Sequence, residues 1–253
     1  MPIKVTGTTD VKDAPSGSVG VKRICLVAVS STGATKGELF EVFNMTDAET
    51  KWGADSVPSK LIKILLKNGV SSVYGIIPPA IGGEILTKAD QYDSAMTELL
   101  RYPNIGIVIT DETDATVHAK VDAHLVTAES QDIFRYGVVG IIAADNTALA
   151  TAILALNSPR IFVPGNKVLD ADGAVLSPIY AAAGIASIIA TETADPALPC
   201  NGVEIQGFGG VENVLLTAEM DALVNIGAVP LQNSNGIPAI YRLVTSYTKD
   251  GGS

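Results

Sequence analysis

Histidine and cysteine are nearly absent from this 253-residue chain, which has two of each: His118, His124, Cys25 and Cys200. That excludes a disulfide-stapled scaffold, a Cys-rich zinc module and a histidine-rich metal site. Aromatic residues are also scarce at 5%, with a single Trp, and charged residues make up only 17%. So low a charge, with many aliphatic groups, excludes a chain that is mostly disordered. Basic residues are outnumbered 27 to 17, giving a net charge of −10, so the electrostatic footprint of a nucleic-acid binder is missing. The opening MPIKVTG has no basic start followed by an apolar stretch, so a secretory leader is not expected. The most apolar stretch, residues 175–190, contains Ser177, Pro178 and Ser187 and is flanked by Asp172 and Glu192. It falls short of the roughly 20 apolar residues of a membrane span and reads as a buried helix. The cysteine usage fits a reducing, cytosol-like compartment.

What the chain does have is aliphatic bulk, 47% hydrophobic overall, enough for one large domain or two small ones. Residues 1–20 show no sustained period and read as an extended arm or loop. Residues 21–29 (VKRICLVAV) are apolar on both alternating faces from Ile24 onward, the pattern of a strand covered on both sides. A loop at 30–37 and a short strand at 38–45 follow. Thr46 and Glu49 spell a capping box for a short helix ending near Gly53. Residues 58–68 form a helix capped by Ser56 and ended by Gly69.

From there strands and helices alternate. Strands are expected at 73–77, 105–109, 137–142 and 160–163, and helices at 90–102, 115–128, 147–156 and 176–190. This rhythm predicts an α/β fold, a mainly parallel open sheet with flanking helices. The five strands including 24–29 are expected in one sheet. The last part, 202–248, changes character to an α+β portion with short antiparallel strands, a helix at 218–226 and a closing strand at 240–247. The expected division is an arm (1–20), an α/β body (21–200) and a C-terminal α+β segment (201–253). Residues 1–120 hold 12 basic and 14 acidic groups, and 121–253 hold 5 and 13, so the second half carries the acidic surface.

Candidate chemistry is thin. The loop Ser30-Ser-Thr-Gly-Ala-Thr35 follows the first strand and resembles the phosphate loop of flavodoxins, whose position at a strand's carboxyl end is right for an open α/β sheet. It would make the chain an FMN- or phosphate-binding domain. However, no helix follows at once, and no aromatic pair is placed to flank an isoalloxazine ring. Ser, Thr and Gly also make ordinary loops. The glycines at 33–37 and 207–210 match neither a Walker loop nor a dinucleotide fingerprint. Asp111, Glu112 and Asp114, with His118 nearby, could form a metal or acid–base site, but Asp114 or Thr113 also caps the next helix, as Asp145 does for its own. His118 and His124 are six apart, unlike the i, i+4 pair of a zinc helix. Cys25 sits in an apolar strand and Cys200 has no activating neighbour. No catalytic constellation, cofactor site or metal site is assigned, and the chain is not read as an enzyme.

Four segments, in order, resemble the contractile tail sheath proteins of bacteriophages and phage-derived injection particles. They are 20–53 (GVKRICLVAVSSTGATKGELFEVFNMTDAETKWG), 60–78 (KLIKILLKNGVSSVYGIIP), 160–202 with its apolar helix and Pro-Cys-Asn-Gly connector, and 225–248 (NIGAVPLQNSNGIPAIYRLVTSYT). In the last, a Gly-containing turn leads into a β-hairpin with an Arg-bearing strand. The spelling RLVTSYTKDG is similar to Mu-like phages. Sheath proteins usually continue past this strand with helices and a C-terminal arm, whereas this sequence stops at Ser253, and the outer insertion around 78–101 is minimal. The resemblance therefore implies a chain shortened at its C-terminus. It also implies a structural subunit that stacks in rings around a tail tube and contracts to drive injection. The partners implied are other copies of itself, a tube protein and baseplate components, in a virion tail assembled in the bacterial cytoplasm. Another tail or baseplate structural component is the alternative. Inter-subunit contact is expected from Ile3, Val5 and Val11 of the arm, and from Tyr241, Leu243, Thr245 and Tyr247 of an edge or hairpin strand.

Overall fold

The computed structural model describes residues 23–30, 32, 35–79, 87–192 and 200–247. After Arg23, every residue of strand β1 (Arg23–Val27) is buried, and its neighbours explain why. The main sheet also holds β2 (Leu39–Val42), β3 (Val73–Ile76), β4 (Ile105–Thr110), β5 (Tyr136–Val138) and β6 (Ile161–Phe162), in the order β2-β3-β1-β4-β5-β6. The five strands expected to share a sheet do so, all parallel, with Leu26 between Gly75 and Ile109. The sixth, β2, pairs antiparallel with β3 and, among the described residues, ends the sheet.

Alternation sends successive side chains to opposite faces. Ile24, Leu26, Ile107 and Ile109 join one apolar cluster with α1 (Met45–Trp52), α2 (Val57–Lys67) and α6 (Pro178–Glu192). Cys25, Val27, Ile105 and Val108 join a second with α3 (Lys88–Leu99), α4 (Ala115–Glu129) and α5 (Asn146–Leu156). Two-sided burial is what all-apolar parallel strands demand.

Capping sets most helix starts. Ser56 Oγ accepts from the Ser59 N–H at 3.3 Å, and Gly69 (φ +86°) turns the chain after α2, both as expected. Asp114 and Asp145 cap α4 and α5. The Thr46 capping box is corrected: Asn44 caps α1, accepting from Asp47 N–H at 3.0 Å, while Asp47 accepts from Phe43 N–H at 3.1 Å. A reciprocal Asn-x-x-Asp pair two residues upstream wins because it satisfies two backbone donors.

The expected strand at 137–142 stops at Val138. Gly140 passes against the start of α6, where a Cβ would stand 2.3 Å from the Ile179 nitrogen, so the chain must leave the sheet there. The remainder holds β7 (Val168–Leu169) paired with β8 (Gly210–Val211), then α7 (Thr217–Asn225) and the hairpin β9 (Leu231–Ser234) and β10 (Ile237–Ile240). The hairpin turns on Asn235 and Gly236, both at positive φ (53° and 89°). The expected strand at 240–247 is corrected: the hairpin ends at Ile240 and 241–247 is irregular. Ile205, Val211, Val229, Leu231 and Ile240 share the core of α1, α2 and α6, so the C-terminal portion packs on the sheet rather than apart from it.

Candidate functional site

In an open α/β sheet, ligands sit outside the carboxyl ends of the strands where the winding reverses. Here that point lies between β1 and β4. Asp111 fills it, accepting from the Val29 N–H at 3.2 Å and from the Tyr92 hydroxyl. Burial raises the Asp111 carboxyl to about 6 and raises the Tyr92 phenol as well. Asp111 thus ties the ends of two central strands to α3. Its neighbours are committed elsewhere. Glu112 pairs with Lys88 at 3.1 Å, and its carbonyl accepts from His118 Nε2 at 3.1 Å. Burial lowers the His118 pKa. Asp114 accepts from the Thr116 hydroxyl at 2.7 Å and from its N–H at 2.8 Å, which hold its carboxyl below the usual range, the hydroxyl foremost. Among the described residues no cluster of three His, Cys, Asp or Glu is placed to hold a metal.

Two hydroxyls of the serine–threonine loop are turned inward, while Thr35 is exposed. The hydroxyls of Ser30 and Thr32 both donate to the Lys51 carbonyl at 2.6 Å, satisfying an orphan acceptor in the last turn of α1. Ser31, Gly33 and Ala34 lie outside the described residues. Trp52 is fully buried, donates to the Ala28 carbonyl at 3.3 Å and packs on Phe40 with centroids 5.1 Å apart. These groups hold α1 to the strand end and present no stacking plane to a ligand.

Of the expected contact residues, Ile3, Val5 and Val11 lie outside the described residues. Tyr241, Leu243, Thr245 and Tyr247 are described, but not as a strand. The segment crosses the end of β6: Ser246 N–H donates to the Ile161 carbonyl at 2.7 Å, and Ser246 Oγ donates to the Ser158 carbonyl at 3.0 Å. The Tyr241 hydroxyl donates to Asp221 at 2.9 Å, Leu243 leans on the core, and Tyr247 is 52% exposed. Val229 continues the cover on β6, bonding Val163 and Gly165 at 2.7 Å each. One sheet edge is thereby closed by the chain's own C-terminal portion.

A cleft of about 180 Å³ lies at the carboxyl end of the sheet beside α5, lined by residues that include Ala143, Asn146, Leu149, Asn166 and Leu215. Asp145, Lys167 and Glu212 also line it, and the residues next in sequence to its lining include exposed aliphatic groups, Ile142 at 65% and Val214 and Leu216 at 72% each. Sequence reading missed this surface, although the uncharged stretch 146–159 was a signal.

No family model and no curated protein matches the sequence. Solved structures do. A sheath tail protein of Desulfitobacterium hafniense superposes with a TM-score of 0.71 at 11% identity, over 98% of this chain and 76% of that one. The sheath tail protein of Listeria innocua gives 0.70 at 12% identity, over 91% and 70%. A chain of the anti-feeding prophage helical sheath in its contracted state gives 0.63 at 16% identity, over 95% and 68%. This chain has the tail sheath fold.

Proposed function

We propose that this chain is a structural subunit of a contractile tail sheath, stacking in rings around a tail tube and contracting to drive injection. The observation that carries this is the likeness to sheath proteins across nearly the whole chain. The layered body suits the role. A six-stranded sheet buried on both faces moves as a near-rigid block, and contraction then comes from re-stacking blocks linked by arms. The division into an arm (1–20), a body (21–200) and an inner C-terminal segment (201–253) belongs to this reading. So do contacts with tube and baseplate proteins, and assembly in the bacterial cytoplasm. The relation to Mu-like phages rests on the spelling RLVTSYTKDG alone.

The arm's contact follows from the sheet edges. The β6 edge is covered by Val229 and Ser246, whereas β2 ends the sheet. Ile3 and Val5 alternate as a strand added to another copy's β2 would. The test is electron microscopy of the protein co-expressed with its tube protein. Rings or tubes that enclose the tube protein are expected. A protein that stays monomeric with its tube partner, or that purifies with bound flavin absorbing in the visible, overturns the reading.

A further inference from the structure

Three Asn-Gly pairs occur in the chain, at 68–69, 201–202 and 235–236. In this spelling the glycine nitrogen, unshielded by a Cβ, can attack the side-chain amide that precedes it. The attack needs a carboxamide free to swing, a glycine N–H without a firm partner and a backbone free to rotate. The structure meets these needs unequally at the three pairs.

Asn68 is clasped. Its Nδ2 donates to the Ile64 carbonyl at 2.8 Å and to the Gln206 carbonyl at 2.9 Å, and its Oδ1 accepts from the Gln206 N–H at 2.7 Å. The amide cannot turn toward Gly69 without breaking all three bonds. Asn201 has an exposed side chain, but the Gly202 N–H donates to the Ile240 carbonyl at 2.6 Å, and the Ile240 N–H donates back to the Val203 carbonyl at 3.0 Å. Ile240 is fully buried, so this backbone pairing is fixed. Asn235 differs on each count. It is exposed at the tip of the β9–β10 hairpin at φ +53°, and among the described residues nothing bonds its carboxamide. Gly236 is exposed too, with nothing within 4 Å of an added Cβ. Its N–H donates to Asn233 Oδ1 at 2.7 Å, and Asn233 is itself exposed, free to rotate into water. A turn at a hairpin tip opens without unfolding the strands below it.

We infer that Asn235 is a site of spontaneous deamidation, whatever the chain assembles into, and that the fold shields Asn68 from the same reaction. The Gly236 nitrogen bonds to Asn235 Cγ and gives up its proton as the Cγ–Nδ2 bond breaks. Ammonia leaves and a cyclic succinimide remains. Water then opens the ring at either carbonyl, giving aspartate or isoaspartate. Both products add a negative charge to a chain already at −10, in its more acidic half. Isoaspartate also routes the main chain through the side-chain carbon. That lengthens a turn whose two residues set Ser234 opposite Ile237.

The experiment incubates the full folded chain in mildly alkaline buffer, follows it by isoelectric focusing and locates each change by tandem mass spectrometry. Residue 235 should convert first, and residue 68 at least about a hundredfold more slowly, the weight of three hydrogen bonds. In urea the three pairs should react at similar rates, because only the fold separates them. Asn233→Ala frees the Gly236 N–H and should speed conversion at 235 about fivefold, the weight of one hydrogen bond. Asn235→Gln should remove the first acidic band. A first acidic form altered at 68 or 201 overturns the inference. So does a folded chain that never converts at 235, a spread of rates in urea equal to that in buffer, or an Asn233→Ala rate equal to wild type.

Discussion

The guanidinium of Arg135 lies 2.8 Å from Nε2 of His124, in a site where Arg135 is 1% exposed. Its other donors reach backbone carbonyls: Ile105 at 3.0 Å, Leu99 at 2.6 Å and Tyr102 at 2.8 Å. Leu99 and Tyr102 lie at the C-terminal end of α3, where the helix dipole favours a cation, and each carbonyl also accepts a backbone N–H, from Tyr102 at 3.0 Å and from Ile105 at 3.2 Å. One side chain thus joins α3, the start of β4 and α4. Arg135→Met keeps the bulk but removes four buried hydrogen bonds, from His124 Nε2 and from the second acceptor positions of the Ile105, Leu99 and Tyr102 carbonyls. Each such bond contributes about 1–3 kcal/mol, so a loss of at least about 3 kcal/mol is expected. Urea midpoints measure it, and a change under about 1 kcal/mol would show that the site repacks freely.

The pH dependence follows from two buried groups of opposite sign. Burial, then the Arg135 charge, lowers His124 to about 4 from an ordinary 6.5. The unfolded chain therefore takes up this proton first, and His124's contribution is lost as pH falls from 6.5 towards 4, by roughly 3 kcal/mol. His118, also lowered, acts in the same direction. Asp111, raised from 3.8 to about 6, does the reverse: its contribution is full below 3.8 and lost as pH rises through 6, again by roughly 3 kcal/mol. Relative to wild type, His124→Gln should flatten the acid-side decline between pH 6.5 and 4, and Asp111→Asn should steepen it. Shifts of the same sign in both variants would refute the assignment.

Much of this fold was legible in sequence because its parallel strands are buried on both sides and read as short apolar runs. The helix caps at Ser56, Asp114 and Asp145 were legible for the same local reason, a side-chain oxygen next to unpaired N–H groups. What escaped was long-range. Nothing near Asp111 in sequence points to Tyr92, and nothing near Arg135 points to the end of α3. The apolar alternation after Ile240 suggested a strand, but pairing partners decide strands, and Ser246 is held by Ser158 and Ile161 instead. Ser30 and Thr32 looked like free loop hydroxyls until Lys51 was brought beside them. The expected arm contacts, Ile3, Val5 and Val11, lie outside the described residues.

Two glycines separate space from backbone conformation. Gly236 has φ +89° and nothing within 4 Å of an added Cβ, so Gly236→Ala costs only the strained turn, about 1 kcal/mol. At Gly140 the same methyl would stand 2.3 Å from the Ile179 nitrogen and 2.5 Å from the Pro178 carbonyl carbon. Backbone cannot rotate away as a side chain can, so Gly140→Ala should cost about 3 kcal/mol or more. Equal losses in thermal melts would mean that the start of α6 can shift.

Deleting residues 1–15 should leave the melting temperature within about 2 °C, under about 1 kcal/mol for a chain of this size, yet abolish rings and tubes. The segment's bulky aliphatic groups, Ile3, Val5 and Val11, are separated by polar residues, too few and too spread to found a core of their own. As a strand added to another copy's β2, each ladder hydrogen bond contributes about 1 kcal/mol net, and the alternate side chains fill the pockets of that edge. A few such bonds are small beside the stability of the body. Repeated at every copy, they decide whether a lattice holds. The comparison is made on intact and deleted proteins, each retaining whatever native residues follow Ser253. Normal tubes from the deleted protein would remove the arm from assembly. A drop in melting temperature well beyond about 2 °C would place the segment on its own sheet instead, closing the β2 edge from within.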